Sequence, residues 1–104
     1  IGFIRYTGNA IALHRLGRLD AAASELKLLQ ADSGDAAAYQ YAQIHAQWGE
    51  NESALDWLQN ALDVHDPGVL LMGIDHFLDP LRQEPRFQEL LQAGGLADCC
   101  ELTP

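Results

Sequence analysis

The chain has 104 residues, 48% of them hydrophobic, which is enough for one small domain with a modest core and excludes a disordered tail. Its 15 acidic residues outnumber 6 scattered basic ones, a formal net charge of −9 that argues against phosphate or nucleic-acid binding by this segment. No apolar run approaches the roughly 20 residues of a membrane span, and Ile1 to Arg5 lacks the basic start and apolar core of a signal peptide.

The spacing of Phe3, Tyr6, Ala10 and Leu13 by three and four predicts a first helix over 3–16. Gly17, free to adopt positive φ, ends it. Asp20 offers the start of a second helix with Ala22, Ala23, Leu26 and Leu29 on one face. Asp32, Ser33, Gly34 and Asp35 are turn chemistry with a helix cap. A third helix is expected from about Ala36 to Trp48, burying Ala38, Tyr41, Ala42, His45 and Trp48, with Gly49 as its stop. Asn51 then caps a fourth helix through Ala54, Leu55, Leu58, Ala61 and Leu62.

Asp66 and Pro67 form a cap followed by Pro at the first helical position, where its missing N–H costs nothing. A short helix through Leu70 and Leu71 follows, broken at Gly73 and again at Asp79–Pro80. Glu84 and Pro85 open a last helix with Phe87, Leu90 and Leu91 inward, closed by Gly94 and Gly95. The tail 97–104 has no periodicity and is expected to fray. No alternation of apolar and polar residues predicts a strand.

The first four helices contain a repeat. Gly17 and Gly49 are 32 residues apart, and Leu16, Ala22, Leu26 and Leu29 align with Trp48, Ala54, Leu58 and Ala61. Self-similarity at this period is the mark of a helical-hairpin solenoid. The order Tyr6, Ala10, Leu13, Gly17, Ala22, Leu26, Leu29, and again Ala38, Ala42, His45, Gly49, Ala54, Leu58, Ala61, resembles the tetratricopeptide repeat. The period falls short of that family's usual length of about 34 residues, and His45 departs from its usual aromatic or aliphatic residue. The resemblance implies an all-α, right-handed superhelix of two hairpins, repeat one about 3–34 and repeat two about 35–66. A capping segment 67–96 and a tail 97–104 complete the chain.

Asp66-Pro67-Gly68, Leu78 to Arg82, Glu84 to Phe87 and Leu90-Leu91 before Gly95-Leu96 resemble the closing segment of certain bacterial repeat arrays. Those arrays end larger regulators whose other part is a winged-helix domain, a nucleotide cyclase or a kinase. The chain also lacks an initiator Met, so it reads as a piece of a longer protein. In physical terms the closing segment folds Leu71, Phe77, Leu78, Leu81 and Phe87 over Leu58 and Leu62, covering the last repeat as a cap.

The resemblance further implies that the first helices of the hairpins line a concave groove. Mapped here, that face holds Thr7, Ile11, His14 and Arg15, then Tyr39, Gln40, Gln43, Ala46 and Gln47. Tyr39 is the expected anchor, an aromatic with a polar tip, and Arg15 the expected binder of a carboxylate or carbonyl. Thr7, Ile11 and Gln43 stand where relatives that clamp a peptide's carboxyl terminus carry Lys and Asn, so chaperone-tail binding is not expected.

The function expected is protein–protein interaction, binding a peptide or protein segment on this face and regulating an upstream effector domain. Self-association through Phe3, Ile4 and Leu19 is one alternative and a structural spacer another. An enzyme is not expected: neither a P-loop nor a nucleotide fingerprint nor a Ser/His/Asp arrangement is present. No cofactor is expected. His65–Asp66 and Asp75–His76 read as helix-end polar pairs lacking the ligands a zinc site needs. Glu50, Glu52 and Asp56 read as a turn and outer helix face. The surplus acid reads as solubility, with a basic partner as the alternative. Trp48 closes a core stripe, and Trp57 either packs under a neighbouring helix, the favoured reading, or reaches out to a partner. Cys99 and Cys100 have no third Cys to pair with, which fits a reducing, cytoplasmic setting.

Overall fold

The computed structural model describes residues 2–95, with side chains from Ile4 onward. Expectations that rest on the Phe3 side chain, on Leu96, and on the tail with Cys99 and Cys100 lie outside the described residues. The described chain is all-helical, with no strand: α1 (Gly2–Arg15), α2 (Leu19–Ser33), α3 (Ala38–Gln47), α4 (Asn51–Asp63) and α5 (Pro85–Ala93). Three 3-10 segments, Gly34–Ala37, Pro67–Leu71 and His76–Leu81, lie between them. No described helix is long and apolar enough to cross a membrane.

Helices α1 and α2 fold back on each other through a turn at Gly17, and α3 and α4 do the same at Gly49. Both glycines have positive φ, 80° and 83°, which an L side chain adopts only at a cost. The turns also match in hydrogen bonding: Arg18 N donates to Leu13 O at 2.9 Å and Glu50 N to His45 O at 2.8 Å. Identical local chemistry 32 residues apart therefore builds the same turn twice. Ala22 and Ala54 sit fully buried just past these turns, where their small side chains let the paired helices approach.

Several start signals differ from expectation. Arg18 and Glu50 occupy the cap positions of α2 and α4, neither with a side-chain cap bond, and Asp20 and Asn51 lie inside the first turns. Asp20 and Glu52, acidic side chains in those first turns, still favour the positive helix ends. Asn51 is used elsewhere, donating to Pro80 O at 3.5 Å and to the Glu84 carboxylate at 3.4 Å. Pro80 does not break its segment, because a 3-10 turn His76–Leu81 runs through it.

The core has two parts. One gathers Ala10, Ile11, Leu29, Ala37, Tyr41 and Ile44. The other gathers α3 and α4 residues with Met72, Leu78, Leu81, Phe87, Leu90 and Leu91. Trp57 adjoins both, with its ring 4.7 Å from that of Tyr41. Leu78, Leu81 and Phe87 share this second cluster with Leu58. Leu71 and Phe77 do not, because the 3-10 backbone turns both side chains outward.

Candidate functional site

The face mapped from the repeat divides by register. Thr7, Ile11, His14 and Arg15 stand 32 residues before Tyr39, Gln43, Ala46 and Gln47. In each set the spacing of three and four makes one helical stripe. The stripe of α1 faces α3, and the stripe of α3 faces the segment 72–77. The start of each stripe therefore meets the next element of the fold, while Arg15 at the end of α1 stays exposed.

This corrects the expected accessibility of three residues. Thr7 and Ile11 are buried, and Tyr39 is 1% exposed and so is no anchor for a partner. Its ring is covered by Gly68, where an added Cβ would lie 2.6 Å from Tyr39 Cγ. Its hydroxyl donates to Asp75 Oδ2 at 2.6 Å, and the same oxygen accepts from Gln43 Nε2 at 2.7 Å. Asp75 Oδ1 caps the following turn by accepting from Phe77 N at 2.9 Å. Burial first, and the neighbouring Asp75 carboxylate second, push the Tyr39 hydroxyl far above its ordinary pKa.

The remaining residues fall in three places. Arg15 donates to Gln47 Oε1, and Gln47 Nε2 donates to Phe77 O at 2.9 Å, so a polar chain runs from the end of α1 across α3 to the 3-10 segment. His14 stacks on Trp48 with ring centroids 5.2 Å apart, and Trp48 Nε1 donates to Ala10 O at 3.1 Å, tying α3 to α1. Gln40 lies away from both, in a separate concavity lined by Ser33, Ala37 and the 66–68 turn.

Beside Gln43 the surface opens into an apolar groove of about 440 Å³, lined by Leu71, Ile74, Asp75, His76 and Phe77. Leu71, Ile74 and Phe77 are 51%, 68% and 40% exposed. Exposed large apolar side chains grouped in a concavity are the informative kind. Arg82 holds the groove's backbone in shape from behind. Its guanidinium donates to Gly73 O at 3.2 Å and Asp75 O at 2.9 Å, and its Nε donates to Asp79 Oδ1 at 2.8 Å. That contact keeps the Asp79 carboxyl below its usual pKa. Neither Arg82 nor the Leu71, Ile74 and Phe77 cluster was singled out from the sequence as part of a site. The available signal was the Asp75-to-Arg82 run, whose charged residues at fixed offsets mark a tight turn.

The acidic pairs considered for metal serve as caps. Asp66 Oδ1 accepts from Gly68 N at 2.9 Å, and Asp75 acts as described. Among the described residues no three His, Cys, Asp or Glu side chains are grouped to hold a metal ion. Glu50 accepts from His45 Nδ1 at 2.6 Å, while Glu52 and Asp56 flank Arg86. No family model, curated protein or solved structure matches the chain.

Proposed function

We propose that the chain is a tetratricopeptide-like pair of hairpins that holds a segment of another protein and serves an effector domain in a longer polypeptide. The binding surface is the line Arg15–Gln47–Gln43 together with the groove of Leu71, Ile74 and Phe77. The observation that carries this reading is the groove: three large apolar side chains exposed in one concavity beside ordered polar groups. Helices and short peptides dock on surfaces of this kind through apolar anchors flanked by hydrogen bonds. Because the face is small, affinity is modest. No catalytic role is assigned.

The test compares wild type with an Ile74→Asp, Phe77→Ser variant in a pull-down from native lysate, both first checked for helical content by circular dichroism. A protein identified with wild type and lost with the variant supports the reading. Equal recovery from both removes the groove from consideration.

A specific observation favours self-association as a second reading. Ile4, Gly8 and Ala12 form an exposed uncharged stripe on α1 that Leu16 continues in the turn after it, and Leu19 is exposed at the start of α2. A second copy covering that stripe gives a dimer. Sedimentation would then show a mass that rises with concentration in wild type and stays monomeric in Ile4→Glu.

A further inference from the structure

We infer that the groove beside α3 receives the first helix of a second copy of this chain, so that copies join head to tail, with Ile4, Gly8, Ala12 and Leu16 of one seated on Leu71, Ile74 and Phe77 of the other. The inference rests on the docking reading above and names the occupant of the groove.

The first observation is where apolar surface stays open. Nine large apolar side chains are exposed among the described residues. Three of them, Leu71, Ile74 and Phe77, line the groove, and three more, Ile4, Leu16 and Leu19, lie along α1 and its turn into α2. One patch is a concavity and the other is the ridge of a helix, with anchors at a spacing of four. An amphipathic helix laid in an apolar groove uses that pair of shapes.

The second observation is charge. Residues 2–18 hold three of the six basic residues, Arg5, Arg15 and Arg18, and none of the 15 acidic ones. With His neutral, the lining of the groove has one charged side chain, the Asp75 carboxylate. Its bonds from the Tyr39 hydroxyl, the Gln43 amide and the Phe77 N–H come from neutral donors, so its charge remains. The arginines of the closing segment are occupied, Arg82 with Asp79 and Arg86 with Asp56. Arg15 of the same copy is held on Gln47, outside the lining.

These charges choose between the ways two copies can meet. Stripe against stripe brings the arginines of 2–18 together, and groove against groove does so for Asp75. Stripe in groove sets opposite charges together. Arg5 adjoins Ile4 and is exposed, so seating Ile4 on the groove brings its guanidinium toward Asp75 of the other copy. The net charge of −9 opposes any approach of two copies, so the association is weak.

The experiment is sedimentation of the 104-residue chain under a thiol reductant, which keeps Cys99 and Cys100 from linking copies. Two variants, each checked for helical content by circular dichroism, separate the faces. Ile4→Glu spoils the stripe and leaves the groove, and Ile74→Asp spoils the groove and leaves the stripe. The mass of wild type is expected to rise with concentration, and each variant alone to stay at the monomer mass of 11.4 kDa. Mixed in equal amounts, the two variants are expected to associate again, because the intact stripe of one meets the intact groove of the other. Arg5→Glu is expected to weaken the association about fivefold more than Lys27→Glu, which changes the net charge equally from α2.

Wild-type association of Ile74→Asp alone would overturn the inference and pair the stripe with itself. A mixture that stays monomeric overturns it too, as do equal effects of Arg5→Glu and Lys27→Glu. Wild type that stays monomeric at every concentration overturns it as well, and the pull-down then judges the docking reading separately.

Discussion

Gly8 and Gly68 lie at opposite ends of what an added methyl group does. Around Gly8, on the exposed side of α1, nothing lies within 4 Å of the Cβ position. Gly8→Ala is therefore expected to stabilise the protein by about 0.5–1 kcal/mol, through the lower chain entropy of alanine in a helix. At Gly68 the same methyl would meet the buried Tyr39 ring at 2.6 Å, closer than side chains tolerate. Gly68→Ala is expected to destabilise by about 1–3 kcal/mol, as overpacking does. Urea denaturation of both variants checks the pair, since opposite signs require the local packing described here.

Tyr39 also has a consequence for pH. Its hydroxyl ionises far above the ordinary value of 10.0 when folded, from burial and the Asp75 carboxylate, and burial raises Tyr41 as well. In the unfolded chain both titrate normally. Below that value the folded and unfolded chains bind the same protons; above it the unfolded chain loses them first, so stability falls as pH rises. Tyr39→Phe removes one of these groups. Its melting temperature is expected to be lower than wild type at neutral pH, from the lost bond to Asp75, and to decline less steeply above pH 10.0. Parallel alkaline declines for the two proteins would show that Tyr39 ionises normally in the folded chain.

At the scale of elements, α3 is the hub. It faces α1 through Trp48, α4 across the Gly49 turn, and the 3-10 segments through Tyr39, Gln43 and Gln47. Its first turn is served by a residue far along the chain. Asp66 Oδ2 accepts from Tyr39 N at 3.2 Å while its other oxygen caps the Pro67 turn. One carboxylate thus satisfies N–H groups at the starts of two elements. Asp66→Ala is expected to cost about 1–2 kcal/mol, toward the upper end for a cap. Thermal unfolding measures it, and Asp66→Asn should recover part of the loss, since an amide oxygen still accepts. Ile74→Asp, on an open surface, should change stability by less than about 0.5 kcal/mol, which makes it a clean probe of binding.

For the whole molecule, the two core clusters are joined by Trp57, which packs against both. Repeat proteins unfold piecewise where the interface between units is weak. Here α1 and α3 are tied by Trp48 and the Arg15–Gln47 contact, and the clusters share a large aromatic side chain. A single cooperative transition is expected. Melting followed by far-ultraviolet circular dichroism and by tryptophan fluorescence should coincide, because both Trp residues sit at these junctions. Separate midpoints would mean that the first hairpin unfolds alone.

The positions of α1 to α5, the glycine turns, the Asp66–Pro67 and Glu84–Pro85 starts, and the inward faces of α4 and α5 are legible in the sequence because they depend on near neighbours. Spacing of three and four, positive φ at Gly17 and Gly49, and the missing N–H of proline act within a few residues. Which stripe of α3 meets solvent is not local. Tyr39, Gln43 and Gln47 have the same pattern whether a partner or the chain itself covers them. The return of 66–77 across α3, with Gly68 over the Tyr39 ring and Asp75 and Arg82 fixing the later turn, buries Tyr39 and leaves Leu71, Ile74 and Phe77 exposed. A helical stripe specifies that something packs on it; the tertiary structure determines what does, because contacts between residues distant in sequence leave no periodic trace in either segment.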